Sequence, residues 1–256
     1  MTQPMVWVES VSQHFYAEGQ TTVALENVDF QVPAGQFVSL VGPSGCGKST
    51  LLFQVAGLRQ PTNGIIRCDG ESITAPMPQK IGMIFQEANL LPWLTAVENV
   101  AFPLKLRGVA KRERIETATR MLQLTGLTGF ETRLPHQLSG GMKQRVAIAR
   151  GLVQNPDVLL LDEPFASLDE QTRMVLGDEL LRIWADTRKT ILFVTHNLGE
   201  AVYLADRIIV LSARPGRIVD DVAVDLPRPR TFKMMSSPAF AELKDRIWAH
   251  IRTAEL

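Results

Sequence analysis

Three glycines, a lysine and a serine stand at fixed spacing in Gly42-Pro43-Ser44-Gly45-Cys46-Gly47-Lys48-Ser49. That spacing, G-x-x-x-x-G-K-[ST], suits one task above others: holding a nucleoside triphosphate together with its metal ion. Glycine lets the backbone curl until successive N–H groups face phosphate oxygens. A helix starting near Lys48 brings the partial positive charge of its N-terminus to the same place. The Lys48 ammonium can reach the β- and γ-phosphates, and the Ser49 hydroxyl can ligate Mg²⁺. Thr50 completes the nucleotide-binding run. Glycines at 42, 45 and 47 do not give the G-x-G-x-x-G spacing of a dinucleotide site. Cys46 reads as a small residue that fits the loop, with no redox role.

A second constellation is Val158-Leu159-Leu160-Leu161-Asp162-Glu163-Pro164, an apolar strand that ends in adjacent carboxylates. Strand ends of a parallel sheet deliver side chains to the edge where a ligand sits. Asp162 would hold Mg²⁺ there, directly or through water. Glu163 would orient and deprotonate the attacking water. Neighbouring side chains on a strand point opposite ways, so the chain must be leaving the strand here, and Pro164 agrees with that. A third run, Leu138-Ser139-Gly140-Gly141-Met142-Lys143-Gln144-Arg145, precedes a helical stretch from Val146 to Val153. A serine and two glycines at a helix start make another anion site, built from a hydroxyl, bare N–H groups and the helix dipole.

These groups need elements to position them. Val6–Val11 and Val23–Val32 alternate well enough for antiparallel edge strands, and Phe37–Val41 is a buried strand feeding the glycine loop. A helix is expected over Lys48–Leu58, with Gly57 near its end and Pro61 just beyond. Further strands are expected at Ile65–Cys68, Lys80–Phe85, Val158–Asp162, Thr190–Thr195 and Arg207–Leu211. Strands alternating with helices argue for an α/β fold with a largely parallel sheet. From Ala96 to Gln154 the strand signals vanish. Ile115, Ala118, Leu122 and Thr125 fall on one helical face until Gly126 and Gly129 break the pattern. Residues 90–155 therefore read as an inserted, mostly helical subdomain. The tail holds a Pro-rich turn, Leu226-Pro227-Arg228-Pro229-Arg230, then an amphipathic helix with Phe240, Leu243, Ile247 and Ile251 on one face.

Composition narrows the class. The 256 residues are 45% hydrophobic, enough for a sizeable core and against wholesale disorder. Lys+Arg and Asp+Glu number 27 each, so there is no basic excess of the kind that nucleic-acid or anionic-lipid binders carry. Cys46 and Cys68 are the only cysteines, too few for a disulfide scaffold or a structural zinc site, and a reducing compartment fits. The start of the chain lacks the basic region and apolar core of a secretory signal. No uncharged apolar run approaches the roughly 18 residues that span a bilayer. A soluble cytoplasmic chain is expected.

In their order and intervals these motifs resemble the ATP-binding subunits of ABC transporters. Leu138-Ser139-Gly140-Gly141 is that family's signature, standing just ahead of the Asp162-Glu163 strand. The resemblance implies an α/β P-loop NTPase core of the ABC ATPase type, with an antiparallel β edge and an inserted helical subdomain. It makes the chain one ATP-binding domain over residues 1–256, with the helical subdomain at about 90–155 and a tail at about 226–256. Gln86, after the strand Lys80–Phe85, resembles the Q-loop glutamine, implied in Mg²⁺ ligation, in turnover and in passing movement to membrane-spanning partners. Ser167-Leu168-Asp169 resembles the D-loop and brings Asp169 to the nucleotide. His196 resembles the switch histidine that contacts the γ-phosphate. Phe15 or its neighbour Tyr16 stacks on adenine, and the register Val11-Ser12-Gln13-His14-Phe15 favours Phe15. Trp93 is either core or part of an exposed apolar loop, in the region where the family docks its membrane subunit.

The implied mechanism is a head-to-tail homodimer. ATP on one chain's glycine loop is closed over by Ser139, Gly140 and Gly141 of the other, and hydrolysis with Glu163 and His196 reopens the pair. Partners would be separate transmembrane permease subunits and, indirectly, a substrate-binding protein, with no nucleic acid. Such a subunit sits peripherally on the cytoplasmic side of the bacterial inner membrane. Phe85-Gln86-Glu87-Ala88-Asn89-Leu90-Leu91-Pro92-Trp93 and Leu211-Ser212-Ala213-Arg214-Pro215-Gly216-Arg217-Ile218 resemble the nitrate, sulfonate and taurine uptake group. Ala166-Ser167 departs mildly from the Gly-Ala common there. The transported substrate is not encoded in this subunit. A GTPase would need Asn-Lys-x-Asp, which is absent, and a kinase has no use for Leu138–Gly141. The alternative is a soluble ABC-type ATPase acting on DNA or the ribosome. Those carry coiled-coil insertions or tandem domains, whereas this chain has one motif set and no sustained heptads.

Overall fold

The computed structural model describes residues 3–17 and 20–252. Its strands are β1 (Val6–Ala17), β2 (Gln20–Val32), β3 (Phe37–Val41), β4 (Asn63–Cys68), β5 (Glu71–Ser72), β6 (Ile81–Ile84), β7 (Val158–Asp162), β8 (Thr190–Val194), β9 (Arg207–Leu211) and β10 (Ile218–Ala223). Its α-helices are α1 (Lys48–Val55), α2 (Ala96–Leu106), α3 (Lys111–Leu124), α4 (Gly140–Leu152), α5 (Glu170–Thr187), α6 (Leu198–Leu204) and α7 (Pro238–Arg252). The chain divides into two units, one running to Met77 and resuming at Thr190, the other Pro78–Lys189.

In the first unit an antiparallel sheet has the order β2-β1-β4-β5. Strand β1 runs on past Val11, where the sequence pattern stops. Its pairing with β2 shifts register between Val8 and Val11, and again on either side of Gln13. Each irregularity moves the following side chains to the other face, so a paired strand loses its period-two pattern. Strand β3 lies between β8 and β9 and is parallel to both. All its residues are buried. Its one polar side chain, Ser39, donates its hydroxyl to the Phe193 carbonyl at 3.1 Å. Phe37 packs on Phe193 with ring centroids 5.9 Å apart.

Strand β10 pairs antiparallel with β9. Asp220 and Asp221 interrupt its apolar pattern, which hides it in the sequence. Only Val222 is buried in it, and an ion pair from Arg207 to Asp221 crosses the two strands. Helix α1 ends at Val55, three residues before the expected Leu58. Gly57 takes a left-handed φ of 73° and donates to Gln54 O at 3.0 Å, while Leu58 donates to Phe53 O at 2.9 Å. That double closure ends a helix at the residue before the glycine. Helix α7 buries Phe240, Ile247 and Ile251 as its periodicity requires, and Leu243 is half-buried.

In the second unit β6 and β7 pair in parallel, with Ile84 opposite Leu161. Helices α2, α3 and α4 share an apolar core that includes Val100, Leu104, Ala118, Leu122, Val146 and Ala149. The face expected on α3 is there: Ala118, Leu122 and Thr125 are buried, and Ile115 packs partly buried against them. Helix α2 starts with a reciprocal cap. Glu98 N donates to Thr95 Oγ1 at 3.4 Å, and Thr95 N donates to Glu98 Oε2 at 2.9 Å. The Thr95 N–H and the Thr95 hydroxyl, which donates to the same Glu98 Oε2 at 2.9 Å, hold the Glu98 carboxyl below the usual carboxylate range.

Candidate nucleotide-binding site

The glycine loop leaves β3 and enters α1 directly. Gly47 has φ 102° and caps α1 without any side-chain hydrogen bond, so the helix presents its first N–H groups to an incoming anion. A Cβ at Gly47 would lie 2.6 Å from Leu25 Cδ2, and one at Gly42 would lie 2.7 Å from the Leu211 carbonyl oxygen. Lys48 is 5% exposed. Its ammonium donates to Gly42 O at 2.8 Å and to Pro43 O at 2.9 Å, and lies 3.7 Å from Cys46 Sγ. Burial pushes the Cys46 thiol up, with Lys48 pulling partly the other way. A buried, protonated thiol fits the expected packing role.

The turn between β9 and β10 braces this loop from outside, which the sequence did not disclose. Arg214 donates to Gly45 O from Nε at 3.3 Å and from Nη2 at 3.2 Å. Gly216 N donates to Ala24 O at 2.9 Å, and Glu26 N donates to Gly216 O at 3.0 Å. A Cβ at Gly216 would lie 2.1 Å from the Cys46 carbonyl oxygen. Gly216→Ala must therefore displace the loop, and overpacking of this kind costs about 1–3 kcal/mol. The expected result is a lower melting temperature and about tenfold weaker nucleotide binding in a titration. Unchanged values for both would show that the loop yields freely.

His196 follows β8, which is parallel to β3, with Leu40 opposite Val194. Gly42 and His196 thus leave the same sheet edge, and His196 is exposed. Next to it, Asn197 Oδ1 caps α6 by accepting from Glu200 N at 3.2 Å. Phe15 on β1 is half-buried, with the Arg59 guanidinium 4.9 Å from its ring centroid. Tyr16 is 71% exposed and meets His14 edge-on at 6.4 Å.

In the second unit, Gln86 beyond β6 and Asp162-Glu163 at the end of β7 leave one edge, because the two strands are parallel and adjacent. Gln86 is exposed and Asp162 is buried. Glu163 is half-buried and has φ 45°, an uncommon conformation for a residue other than glycine and one that gathers at functional sites. The strand alternation ends there, as expected from the sequence. Ser139 caps α4, its Oγ accepting from Met142 N at 3.3 Å. A Cβ at Gly141 would meet the Thr172 methyl at 2.7 Å, so the signature glycine is needed for close packing against α5. Asp169 caps α5, accepting from Thr172 N at 3.0 Å and Thr172 Oγ1 at 2.7 Å, and these bonds lower its carboxyl pKa. The residue expected at the nucleotide thus also has a structural task.

Trp93 is 71% exposed, which makes it a surface residue and not core. Two residues that sequence reasoning passed over hold the loop behind it. The buried Asn99 accepts from Leu91 N at 2.7 Å and donates to the carbonyls of Leu91 and Leu94 at 3.1 and 2.9 Å. Arg150 donates to Asn89 O and Ala88 O at 2.8 and 2.6 Å. A lone polar residue on the apolar face of α2 was the available signal for Asn99.

Comparison with known proteins shows the family. The ABC transporter family model matches residues 25–166, more than half of the chain. The nitrate import ATP-binding protein NrtD of Synechocystis is 43% identical over 254 residues, 97% of this chain and 95% of that protein. The aliphatic sulfonates import ATP-binding protein SsuB of Bacillus cereus is 45% identical over 242 residues, 94% of each. The solved dimer of the ATP-binding cassette MJ0796, in a post-hydrolysis state bound to ADP and Pi, superposes with a TM-score of 0.78 at 34% identity, covering 87% of this chain and all of that one. With likeness of this extent in both sequence and structure, the chain belongs to the ABC transporter ATP-binding family, and it is an ATPase with the ABC cassette fold.

Proposed function

We propose that this chain is the ATP-hydrolysing subunit of an ABC importer for nitrate, a sulfonate, taurine or a related small anion. The observation that carries the reading is identity of 43% and 45% to nitrate and sulfonate import ATPases along nearly the whole chain. The phosphates lie on Gly42–Thr50, with the Lys48 ammonium as their cation. Glu163 polarises the attacking water, His196 contacts the γ-phosphate, and the adenine stacks on Phe15 or Tyr16.

Ser49, Gln86 and Asp162 would hold Mg²⁺, and the ion would supply charge neutralisation on the phosphates. A hydroxyl, an amide and a carboxylate are the hard oxygen donors that this ion takes beside substrate phosphates. Ser139, Gly140 and Gly141, together with the segment around Asp169, act at the nucleotide of a second copy, and the dimeric MJ0796 cassette supports that arrangement. The chain works as one ATP-binding domain over residues 1–256, with a helical subdomain at about 90–155 and a tail at about 226–256. Its partners are separate permease subunits, served by a substrate-binding protein, at the cytoplasmic face of the bacterial inner membrane. The exposed Trp93 loop, stiffened by Asn99 and Arg150, is the surface offered to the permease.

The test is capture of the tagged chain from mildly solubilised native membranes with ATP, followed by mass spectrometry. A stoichiometric multi-span protein is expected, and its companion binding protein should be stabilised by nitrate, taurine or an alkanesulfonate. Ribosomes or DNA-repair proteins in its place would overturn the reading.

A further inference from the structure

Helix α6 starts two residues after His196 and is only seven residues long, too short to persist without outside support. Its last carbonyls have no partner within the helix. They lie among buried Val202, Leu204 and Ala205, where water cannot satisfy them. The C-terminal tail supplies the missing donors. Arg230 Nη1 donates to the carbonyls of Val202, Tyr203 and Ala205 at 2.6, 3.0 and 2.8 Å. Arg228 Nη2 donates to Leu204 O at 2.7 Å. Arg228 Nε donates to Asp206 Oδ1 at 2.8 Å, and Asp206 Oδ2 accepts from Phe37 N at 3.0 Å.

Phe37 opens β3, the strand that delivers the phosphate loop. Arg228 therefore ties the far end of the His196 helix to the root of the phosphate-loop strand, and Arg230 holds the same helix end from the tail. A cation is favoured at a helix C-terminus. Arg230 is buried at 8% exposure, and burial lowers its pKa to about 10, which leaves it charged at neutral pH.

We propose that Arg228 and Arg230 are positioning residues for ATP hydrolysis: through α6 they fix where His196 stands relative to the phosphate loop. This rests on the reading that His196 acts at the γ-phosphate. A lysine ammonium keeps the charge, but its stem ends one bond short of the guanidinium Nη1 that meets these three carbonyls. It also has no second nitrogen to reach the Val224 carbonyl, to which Arg230 Nη2 donates at 3.4 Å. Arg230→Lys in the full chain should thus lower kcat at least fivefold while the dissociation constant for ATP stays within twofold, since the phosphate loop itself is untouched. The effect should vanish in a His196→Ala background, where there is no imidazole left to position. A purely structural role would add its loss in both backgrounds.

Unchanged kcat in Arg230→Lys, an additive loss in the double variant, or a parallel weakening of ATP binding would each overturn the proposal. Should Arg230→Lys fail to fold, Arg228→Lys, at a less buried position, carries the same cycle with the same expected outcomes. Full kcat in His196→Ala alone would instead remove the reading on which this one rests, and the two failures are thereby told apart.

Discussion

Glu163→Gln should abolish ATP turnover, by about 10²- to 10⁴-fold, while leaving ATP binding intact. Loss of a general base removes that much rate. The amide is isosteric with the carboxylate and cannot take a proton from water. Glu163 holds φ 45°, and glutamine meets the same backbone cost as glutamate there, so the fold should not respond. With hydrolysis stopped, ATP should hold two copies together as a dimer; the MJ0796 cassette is dimeric with ADP and Pi bound. Steady-state phosphate release, a nucleotide titration and light scattering with and without ATP measure the three parts. Undiminished turnover would remove Glu163 from the base role. A monomer with ATP bound would count against the head-to-tail arrangement.

Lys48→Ala should weaken ATP binding by about 10- to 10²-fold. A charge-assisted hydrogen bond is worth about 1.5–3 kcal/mol, and 1.4 kcal/mol is a factor of ten. The Lys48 ammonium sits on the Gly42 and Pro43 carbonyls at 2.8 and 2.9 Å. Those are neutral acceptors, so a phosphate oxygen bearing full charge draws the ammonium away from them. The substitution also takes a buried donor from both carbonyls, of which Pro43 O keeps the Cys46 N–H at 3.3 Å, and this should lower the melting temperature of the nucleotide-free chain. Titration with ATP and thermal unfolding without it read the two effects. Undiminished affinity would sink the role of Lys48.

Much of this was legible in the residues. The buried strands β3, β7, β8 and β9 are short apolar runs, and burial on both faces makes such runs conspicuous. The glycine loop announced itself because its backbone needs leave few alternatives to glycine, and Gly42 and Gly47 both sit where a side chain would collide. The second helix cap at Ser139 was equally plain. Strand β10 escaped notice because neighbouring acids broke its pattern, and β1 beyond Val11 because bulges changed its phase. Trp93 could be read as core or surface, since an aromatic residue in an apolar run carries no mark of its exposure.

Sequence by itself determined the chemistry: which residues could cradle phosphate, bear a metal or activate water. Those capacities reside in side-chain type and short spacing, which act over a few residues of chain. Only the tertiary structure decided what holds these groups in place. The turn around Gly216 lies against a loop some 170 residues earlier in the chain, and the tail arginines close a helix more than twenty residues before them. Such contacts depend on three-dimensional packing, and a carbonyl that needs a donor bears no signature in the amino-acid sequence. Backbone groups are the same at every residue, so which of them are left unpaired is known only once the chain has folded.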